Sequence, residues 1–336
     1  MTARLITAGR AGERWRVTEM PSTLTMHERL MQDVREGLHA DPPSLPPRWF
    51  YDEKGSRLFD EITRLPEYYP TRRETEILAE HALEIALSAH PSTLVELGSG
   101  TSTKTRILLT VLTRFRPALR FVPIDVSVEV LTEAAADIAA LYPGIEVDAL
   151  ATDFADPLPP LPGGDDKRLV AFLGGTIGNF DDEERHAFLG RLRDAMNVGD
   201  RLLLGADLIK DPGRLVRAYD DSKGVTAEFN RNVIEVLRRE LGAHGLDARD
   251  FAHVARWNAG RSRIEMWLRA TRDVSATFDA IDMVCNLPAG GELLTEISVK
   301  FRLSQLHDEL RAAGFGIESF WTDSVSDFSL SLAVAA

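Results

Sequence analysis

The residues whose types point most directly to chemistry form a glycine-rich segment, Glu96-Leu97-Gly98-Ser99-Gly100-Thr101-Ser102-Thr103-Lys104-Thr105. A short apolar run precedes it and a helical pattern follows it, which is the strand-to-helix turn where open α/β sheets bind ligands. The dinucleotide pattern G-x-G-x-x-G fails at Thr103, and so does the phosphate-binding pattern G-x-x-x-x-G-K-[ST]. A carboxylate at Glu96 would in addition lie near a polyphosphate and repel it. The segment therefore indicates a ligand without phosphate, or a turn that binds nothing.

Acidic residues follow the next two predicted strands. Asp125 ends one strand-like run, and a carboxylate there can bind both hydroxyls of a ribose. The pair Asp153-Phe154 follows the next, where a carboxylate can accept from an adenine amino group while the ring packs on the purine. S-adenosylmethionine carries an ammonium, a sulfonium and ribose hydroxyls but no phosphate, so these acids favour it over a nucleotide.

The surrounding pattern alternates strands and helices, which predicts a parallel sheet covered on both faces. The predicted strands before residue 207 are Thr93–Leu97, Arg120–Asp125, Glu146–Leu150, Arg168–Leu173 and Arg201–Leu204. The alternation stops from about residue 207 to 300 and ends with a helix and two strands. We predict an α/β protein with a doubly wound, mostly parallel, Rossmann-like sheet of seven strands and an α+β domain inserted after the fifth.

The predicted cofactor domain comprises residues 72–206 and 302–336, and the predicted substrate domain comprises 23–71 and 207–301. Residues 1–22 form an N-terminal extension whose role the sequence does not indicate.

Composition excludes several classes of protein. The 336 residues carry a net charge of −13, which argues against nucleic-acid binding through a general field. Cys285 is the single cysteine, so no disulfide can form within the chain, and the eight histidines lack metal-ligand spacing. No run approaches the roughly 18 apolar residues of a membrane span, and the N-terminus has no signal-peptide pattern. We expect a cytoplasmic monomer without metal.

A series of sequence blocks resembles one known family. The blocks are Tyr51-Asp52-x-x-Gly55-Ser56-x-Leu58-Phe59, Leu65-Pro66-Glu67-Tyr68-Tyr69-Pro70-Thr71-Arg72, Glu96 to Ser102, Phe172-Leu173-Gly174-Gly175-Thr176-Ile177-Gly178-Asn179 and Thr295-Glu296-Ile297-Ser298-x-Lys300-Phe301. In this order they resemble the histidine-specific methyltransferases of ergothioneine biosynthesis, over about Met26 to Ala333. That family uses S-adenosylmethionine to trimethylate the α-amine of L-histidine, giving hercynine, the first step of that biosynthesis. Relatives often have Ser at Gly175 and Cys at Val299, neither of which changes the inferred chemistry.

The resemblance implies roles for individual residues. The cofactor would lie on Gly98, surrounded by Lys104, Asp125, Asp153 and Phe154. Histidine would be held by Tyr68, Gly174, Asn179, Tyr219, Glu296 and Ser298. The pocket would be lined by Tyr51, Phe59 and Met266. Tyr68 and Asn179 are the expected catalytic residues, Tyr68 as proton acceptor and Asn179 as acceptor for the substrate amine.

Glu296 and Ser298 are two residues apart in a strand-like run, so they share a face. A neutral imidazole offers one N–H and one acceptor nitrogen, which a carboxylate and a hydroxyl can satisfy together. An indole would leave the pair partly unpaired, at a cost of about 1–3 kcal/mol. Three alternatives remain: methylation of another aromatic amino acid such as tryptophan, a P-loop-like nucleotide hydrolase, and a cofactor-binding protein without activity.

Overall fold

Strands and helices alternate through the middle of the chain in a computed structural model that describes residues 3–10, 12–153, 158, 161–163 and 167–336. The strands are β1 (Arg4–Ala8), β2 (Trp15–Glu19), β3 (Thr93–Leu97), β4 (Arg120–Asp125), β5 (Glu146–Ala151), β6 (Arg168–Phe172), β7 (Arg201–Asp207), β8 (Ala243–His244), β9 (Phe251–Asn258), β10 (Arg263–Ala270), β11 (Val274–Phe278), β12 (Met283–Leu287), β13 (Glu292–Val299), β14 (Phe315–Thr322) and β15 (Phe328–Ala335).

The helices are α1 (Met26–His39), α2 (Glu53–Ile62), α3 (Pro70–Ala89), α4 (Thr105–Phe115), α5 (Val128–Leu141), α6 (Asp182–Ala195), α7 (Pro212–Tyr219), α8 (Val225–Leu241) and α9 (Leu303–Ala312). Short 3₁₀ helices occur at Pro47–Phe50, Thr176–Asn179, Ala248–Asp250 and Asp279–Ile281. The chain divides into two units. Unit 1 comprises Met1–Ser22, Arg72–Leu208 and Phe301–Ala336, and unit 2 comprises Thr23–Thr71 and Ile209–Lys300.

Unit 1 is built on one mostly parallel sheet. Within the residues described, its strand order is β1-β2-β5-β4-β3-β6-β7-β15-β14. The five strands from β3 to β7 all pair in parallel. Strand β15 is antiparallel to both of its neighbours, β7 and β14. All five residues of β3 and of β6 are buried, as expected for central strands covered by helices on both faces. The predicted fold class is confirmed.

The N-terminal segment adds two strands to the seven that the sequence predicted. Strands β1 and β2 form an antiparallel pair, and β2 runs parallel to β5 at one side of the sheet. Residues 1–22 therefore belong to unit 1. Residues 207, 208 and 301 also lie in unit 1 instead of in the inserted segment, because the Phe301 N–H donates to the Asp207 carbonyl at 2.9 Å and Leu208 forms a β-bridge to Phe301.

Helix α6, which follows β6, begins with a capping box. The Asp181 side chain accepts from the Glu184 N–H, and the Glu184 side chain accepts from the Asp181 N–H. The helix also buries Arg185, whose guanidinium pairs with Glu309 at 2.6 Å and lies 5.1 Å from the centre of the Phe301 ring.

Unit 2 combines helices with small antiparallel sheets. In the part of the chain described, the sheet orders are β13-β10-β9 and β12-β11-β8. Strand β13 contains the strand-like run of Glu296 and Ser298 that the sequence predicted. The apolar core of the unit includes Leu215, Phe229, Ile264 and Leu268. None of the helices in the described residues combines the length and the apolar composition of a bilayer span.

Candidate active site

The glycine-rich loop after β3 adopts backbone conformations that glycine favours. Gly98 has φ 65° and Gly100 has φ 48°, both in the left-handed region. The Gly100 N–H donates to Asp125 Oδ2 at 2.9 Å, and the Ser127 N–H donates to Asp125 Oδ1 at 3.2 Å. Each carboxylate oxygen therefore keeps lone-pair capacity for a ligand. Burial raises the pKa of Asp125 above its ordinary value.

Glu96 does not face a ligand as the sequence suggested. Its side chain is buried, and its carboxylate accepts hydrogen bonds from the Ser102 hydroxyl at 2.9 Å and from the Thr105 hydroxyl. Burial raises the pKa of Glu96 to about 7, although both hydroxyls act in the opposite direction. Glu96 therefore ties the loop to the first turn of α4.

A second buried acid, Glu74, holds two of the expected ligand-binding residues together. Its carboxylate accepts from the Gly174 N–H, with distances of 2.8 and 2.9 Å to the two oxygens, and forms an ion pair with Lys104. Gly174 and Gly175 have φ 82° and 71°. Glu74 has no signal in the sequence that marks it as buried, because an acid in the second turn of a helix is usually a surface residue.

The loops after β3, β4 and β6 thus meet at the carboxyl edge of the parallel strands. The contacts connect Gly100 to Asp125, and Lys104 through Glu74 to Gly174. Asp153 is half-buried two residues beyond β5, and the Thr152 N–H donates to the Asp125 carbonyl at 2.9 Å. Phe154 lies outside the described residues. Asn179 is half-buried at the end of the 3₁₀ helix after β6.

In unit 2, four expected substrate residues form a continuous row of aromatic rings. The ring centres of Tyr51 and Phe59 are 5.5 Å apart, those of Phe59 and Tyr68 are 6.1 Å apart, and those of Tyr68 and Tyr219 are 6.3 Å apart. All three pairs meet edge to face, the arrangement that aromatic quadrupoles favour. Phe229, which the sequence analysis did not select, packs against Tyr51 and Phe59.

The row of rings ends at a polar group of three side chains. The Tyr219 hydroxyl lies 2.8 Å from Ser298 Oγ, and the Lys300 amino group lies 2.8 Å from each of these oxygens. Ser298 and Lys300 are both buried, so the polar side of β13 does not face water. Lys300 stood in a family block, but no role was assigned to it from the sequence.

Glu296 and Ser298 share a face of β13, as predicted. In the register with β10, Glu296 is opposite Met266 and Ser298 is opposite Ile264. Residues directly opposite each other in antiparallel strands have neighbouring side chains. Glu296 is half-buried beside Met266, which is fully buried. The paired strands β10 and β13 therefore present a carboxylate, a hydroxyl and a thioether on one surface.

A buried hydrogen-bond network fixes that surface. The register shifts between Met266 and Trp267, so that Thr295 forms a bulge next to Glu296. The Thr295 hydroxyl contacts Asn230 Oδ1 at 2.7 Å, and the Asn230 amide donates to His253 Nδ1 at 2.8 Å. His253 Nε2 in turn lies 2.8 Å from the Tyr219 carbonyl. Burial lowers the pKa of His253, which favours the neutral ring that this network requires.

The chemistry available differs between the units. Unit 1 has glycine turns, the carboxylate of Asp125 and the ammonium of Lys104. Unit 2 has the carboxylate of Glu296, the hydroxyl of Ser298 and a row of aromatic rings. The described residues contain no group of three or more His, Cys, Asp or Glu side chains that could hold a metal ion. The side chains of both units can position a ligand and form hydrogen bonds with it.

Comparison with known proteins agrees with these features. Residues 30–335 match a family model described as a histidine-specific, SAM-dependent methyltransferase. The histidine N-alpha-methyltransferase of Mycolicibacterium smegmatis is 54% identical over 308 residues, 91% of this chain and 95% of the relative. The enzyme of the same name from Mycobacterium tuberculosis is 52% identical over 307 residues, with the same coverages of 91% and 95%. Ergothioneine biosynthesis protein 1 of Neurospora crassa is 34% identical over 206 residues, 60% of this chain and 23% of that protein.

Proposed function

Because the chain belongs to the family of histidine-specific, S-adenosylmethionine-dependent methyltransferases, we propose that it methylates the α-amine of L-histidine. The observation that carries the proposal is the pairing of Glu296 and Ser298 on one face of β13, opposite Met266 and Ile264. The 54% sequence identity to the histidine N-alpha-methyltransferase of Mycolicibacterium smegmatis supports the same substrate. We propose further that methylation proceeds to the trimethylated product, hercynine, as the first step of ergothioneine biosynthesis.

The residues of unit 1 fit S-adenosylmethionine. A Cβ at Gly100 would meet no atom within 4 Å, so there is open space beside the loop. Asp125 retains acceptor capacity for the ribose hydroxyls, and the Lys104 ammonium can bind a carboxylate. When bound, the cofactor supplies a methyl group activated by the positive sulfur. Gly98, Asp153 and Phe154 are proposed as the remaining cofactor residues.

The residues of unit 2 are proposed to hold the amino acid. The Glu296 carboxylate accepts from the imidazole N–H, and the Ser298 hydroxyl serves the other ring nitrogen. Tyr51, Phe59 and Met266 line the pocket, and Tyr219 contacts the polar end of the substrate. A bound amino acid is an ammonium in water near neutral pH, so its nitrogen must lose a proton before it can attack. Tyr68 is the proposed acceptor or relay for that proton.

Asn179 and Gly174 are proposed as further substrate residues. The Asn179 amide oxygen can accept from the substrate amine and so direct the nitrogen lone pair. The Gly174 backbone is held by Glu74, which gives its loop a fixed conformation. Holding the amine in line with the methyl group is the main contribution that such residues make to rate.

Among the alternatives, none of the relatives named above supports a tryptophan substrate, a nucleotide hydrolase or a protein without activity. We also propose that the enzyme acts as a cytoplasmic monomer without nucleic acid. The net charge of −13 supports the absence of nucleic acid. Light scattering coupled to gel filtration measures the oligomeric state directly, and a dimer mass would overturn that part of the proposal.

The substrate is tested by measuring S-adenosylhomocysteine release from S-adenosylmethionine with a panel of amino acids. Histidine, tryptophan, tyrosine and phenylalanine are supplied separately at equal concentration. We expect release with histidine alone, because the other rings lack an acceptor nitrogen to pair with Ser298. Release with tryptophan and not with histidine would retain the cofactor and refute the roles of Glu296 and Ser298.

A further inference from the structure

Lys300 is a buried cation within the proposed substrate surface. Only 1% of its surface is exposed, and its Nζ lies 2.8 Å from Tyr219 Oη and 2.8 Å from Ser298 Oγ. The two oxygens are themselves 2.8 Å apart, so the three polar atoms form a closed triangle. The ammonium also lies 4.6 Å from the centre of the Tyr219 ring. An ammonium donates hydrogen bonds and accepts none, which fixes its part in the triangle.

Counting donors and acceptors defines the state of Ser298. A serine hydroxyl has one proton and two lone pairs, and Lys300 occupies one lone pair. One hydroxyl of the Tyr219 and Ser298 pair must donate to the other. The phenol is the more acidic of the two hydroxyls and the better donor, so Tyr219 occupies the second lone pair. Ser298 then has no acceptor capacity left, and its own proton is available to a ligand.

We propose that Lys300 is a positioning and specificity-determining residue that makes Ser298 a hydrogen-bond donor toward the substrate ring. This inference rests on the proposed histidine methylation. The ring must then present a nitrogen lone pair to Ser298 and its N–H to the Glu296 carboxylate. A single tautomer of neutral imidazole meets both demands. A pyrrole ring offers the N–H without the second nitrogen, and it leaves the Ser298 proton without an acceptor.

A double-mutant cycle tests whether Lys300 acts through Ser298. The unsubstituted protein is compared with Lys300→Met, Ser298→Ala and the double variant in histidine kinetics. We expect each single substitution to lower kcat/KM for histidine about 10- to 100-fold, mainly through KM. The double variant should be no worse than the more impaired single variant, because both substitutions remove the same interaction. Lys54→Met, which removes an exposed lysine in the same unit, is the matched control and should behave as the unsubstituted protein.

A second measurement separates positioning from a general loss of structure. Inhibition by a histidine analogue with a pyrrole ring is compared with inhibition by an analogue that retains imidazole. The pyrrole analogue should bind the unsubstituted protein at least about 10-fold more weakly. This difference in affinity should narrow in Lys300→Met, because Ser298 can then donate its proton to the Tyr219 oxygen that Lys300 no longer occupies. Binding of S-adenosylhomocysteine should be the same in all variants.

Several results would overturn the inference. In the double-mutant cycle, these results are an unchanged kcat/KM of Lys300→Met, or reductions in kcat/KM that add in the double variant. In the analogue comparison, they are an unchanged preference for imidazole over pyrrole in Lys300→Met, or a loss of its S-adenosylhomocysteine binding. Failure of the proposed function is a different result, since the unsubstituted protein would then not methylate histidine at all.

Discussion

At the scale of single residues, buried polar groups determine what the proposed substrate surface can bind. Apolar surroundings make an unsatisfied donor or acceptor costly, about 1–3 kcal/mol for each group. Ser298 is buried with its hydroxyl in contact with Tyr219 and Lys300, and Glu296 lies two residues away on the same face. A ligand that leaves either group without a partner is therefore disfavoured, which is the physical basis for choosing one ring over another.

The Glu296 carboxylate is expected to strengthen histidine binding through its charge. Glu296→Gln keeps the size of the side chain but removes the charge that strengthens its hydrogen bond to the imidazole N–H. We expect kcat/KM for histidine to fall about 10-fold or more, chiefly through KM, in steady-state assays. Glu292→Gln is the control on the same strand, because Glu292 pairs with Arg256 and Arg269. Equal histidine kinetics in Glu296→Gln and the control would refute the role of Glu296.

The Tyr68 hydroxyl is the proposed acceptor for the proton that the substrate ammonium must lose. Tyr68→Phe retains the buried ring between Phe59 and Tyr219 but removes the proposed acceptor. We expect kcat to fall about 100-fold or more, the usual size of a general-base contribution. Tyr69→Phe is the matched control, since its hydroxyl contacts Lys210 at 2.8 Å, and its kcat should stay near that of the unsubstituted protein. Undiminished turnover by Tyr68→Phe would show that the proton leaves by another route.

At the scale of elements, strand ends and loops place these residues through contacts that are distant in sequence. Glu74, on α3, holds the loop after β6 and the lysine at the start of α4. The bulge at Thr295 is held by Asn230 of α8. The loop of Gly174, the side chain of Lys104 and the strand beside Glu296 thus each contact a second element.

The buried Glu96, beside the loop after β3, makes the free energy of unfolding depend on pH. Burial raises the pKa of Glu96 to about 7, whereas the unfolded chain leaves it near 4.5. Between these values the folded state retains a proton that the unfolded state has lost, so this group lowers the free energy of unfolding as pH rises from about 4.5 to 7. The full difference is on the order of 3 kcal/mol.

Glu96→Gln removes this titration while keeping hydrogen-bonding atoms beside Ser102 and Thr105. Relative to the unsubstituted protein, the variant should gain stability as pH rises across that window, as measured by urea unfolding at a series of pH values. A stability difference that is independent of pH would contradict the raised pKa.

Much of this architecture could be predicted from sequence, since the signals are local. The buried strands β3 and β6 appear as continuous apolar runs, and the capping box of α6 lies within four residues. The paired face of Glu296 and Ser298 follows from the two-residue period of a strand. Contacts that depend on tertiary placement could not be predicted. Nothing local distinguishes Glu74 from a surface acid, because its partner Gly174 lies 100 residues away along the chain.

At the scale of the whole molecule, the N-terminal residues complete the sheet of unit 1. Strand β2 pairs with β5, and Val17 is fully buried against the core of the sheet. Arg16 adds an ion pair to Asp148 of β5 at 2.9 Å. An unpaired β5 would be an exposed edge strand, which invites association with other chains.

Deletion of residues 1–22 is therefore expected to lower the free energy of unfolding by about 2 kcal/mol or more, given the burial of Val17 alone, and to promote aggregation. Urea unfolding and light scattering measure both effects. Val17→Ala keeps the hairpin while truncating its buried side chain, and it should be destabilised less than the deletion. A deletion variant with the unfolding midpoint of the full chain would show that β1 and β2 do not support the sheet.

The proposed activity of this chain is trimethylation of the α-amine of histidine. The most direct measurement is mass spectrometry, with fragmentation, of the product formed from L-histidine and excess S-adenosylmethionine. We expect a final product with three added methyl groups, all on the α-nitrogen, and an unmodified imidazole. Methyl groups on the ring, or a reaction that ends after one transfer, would contradict it.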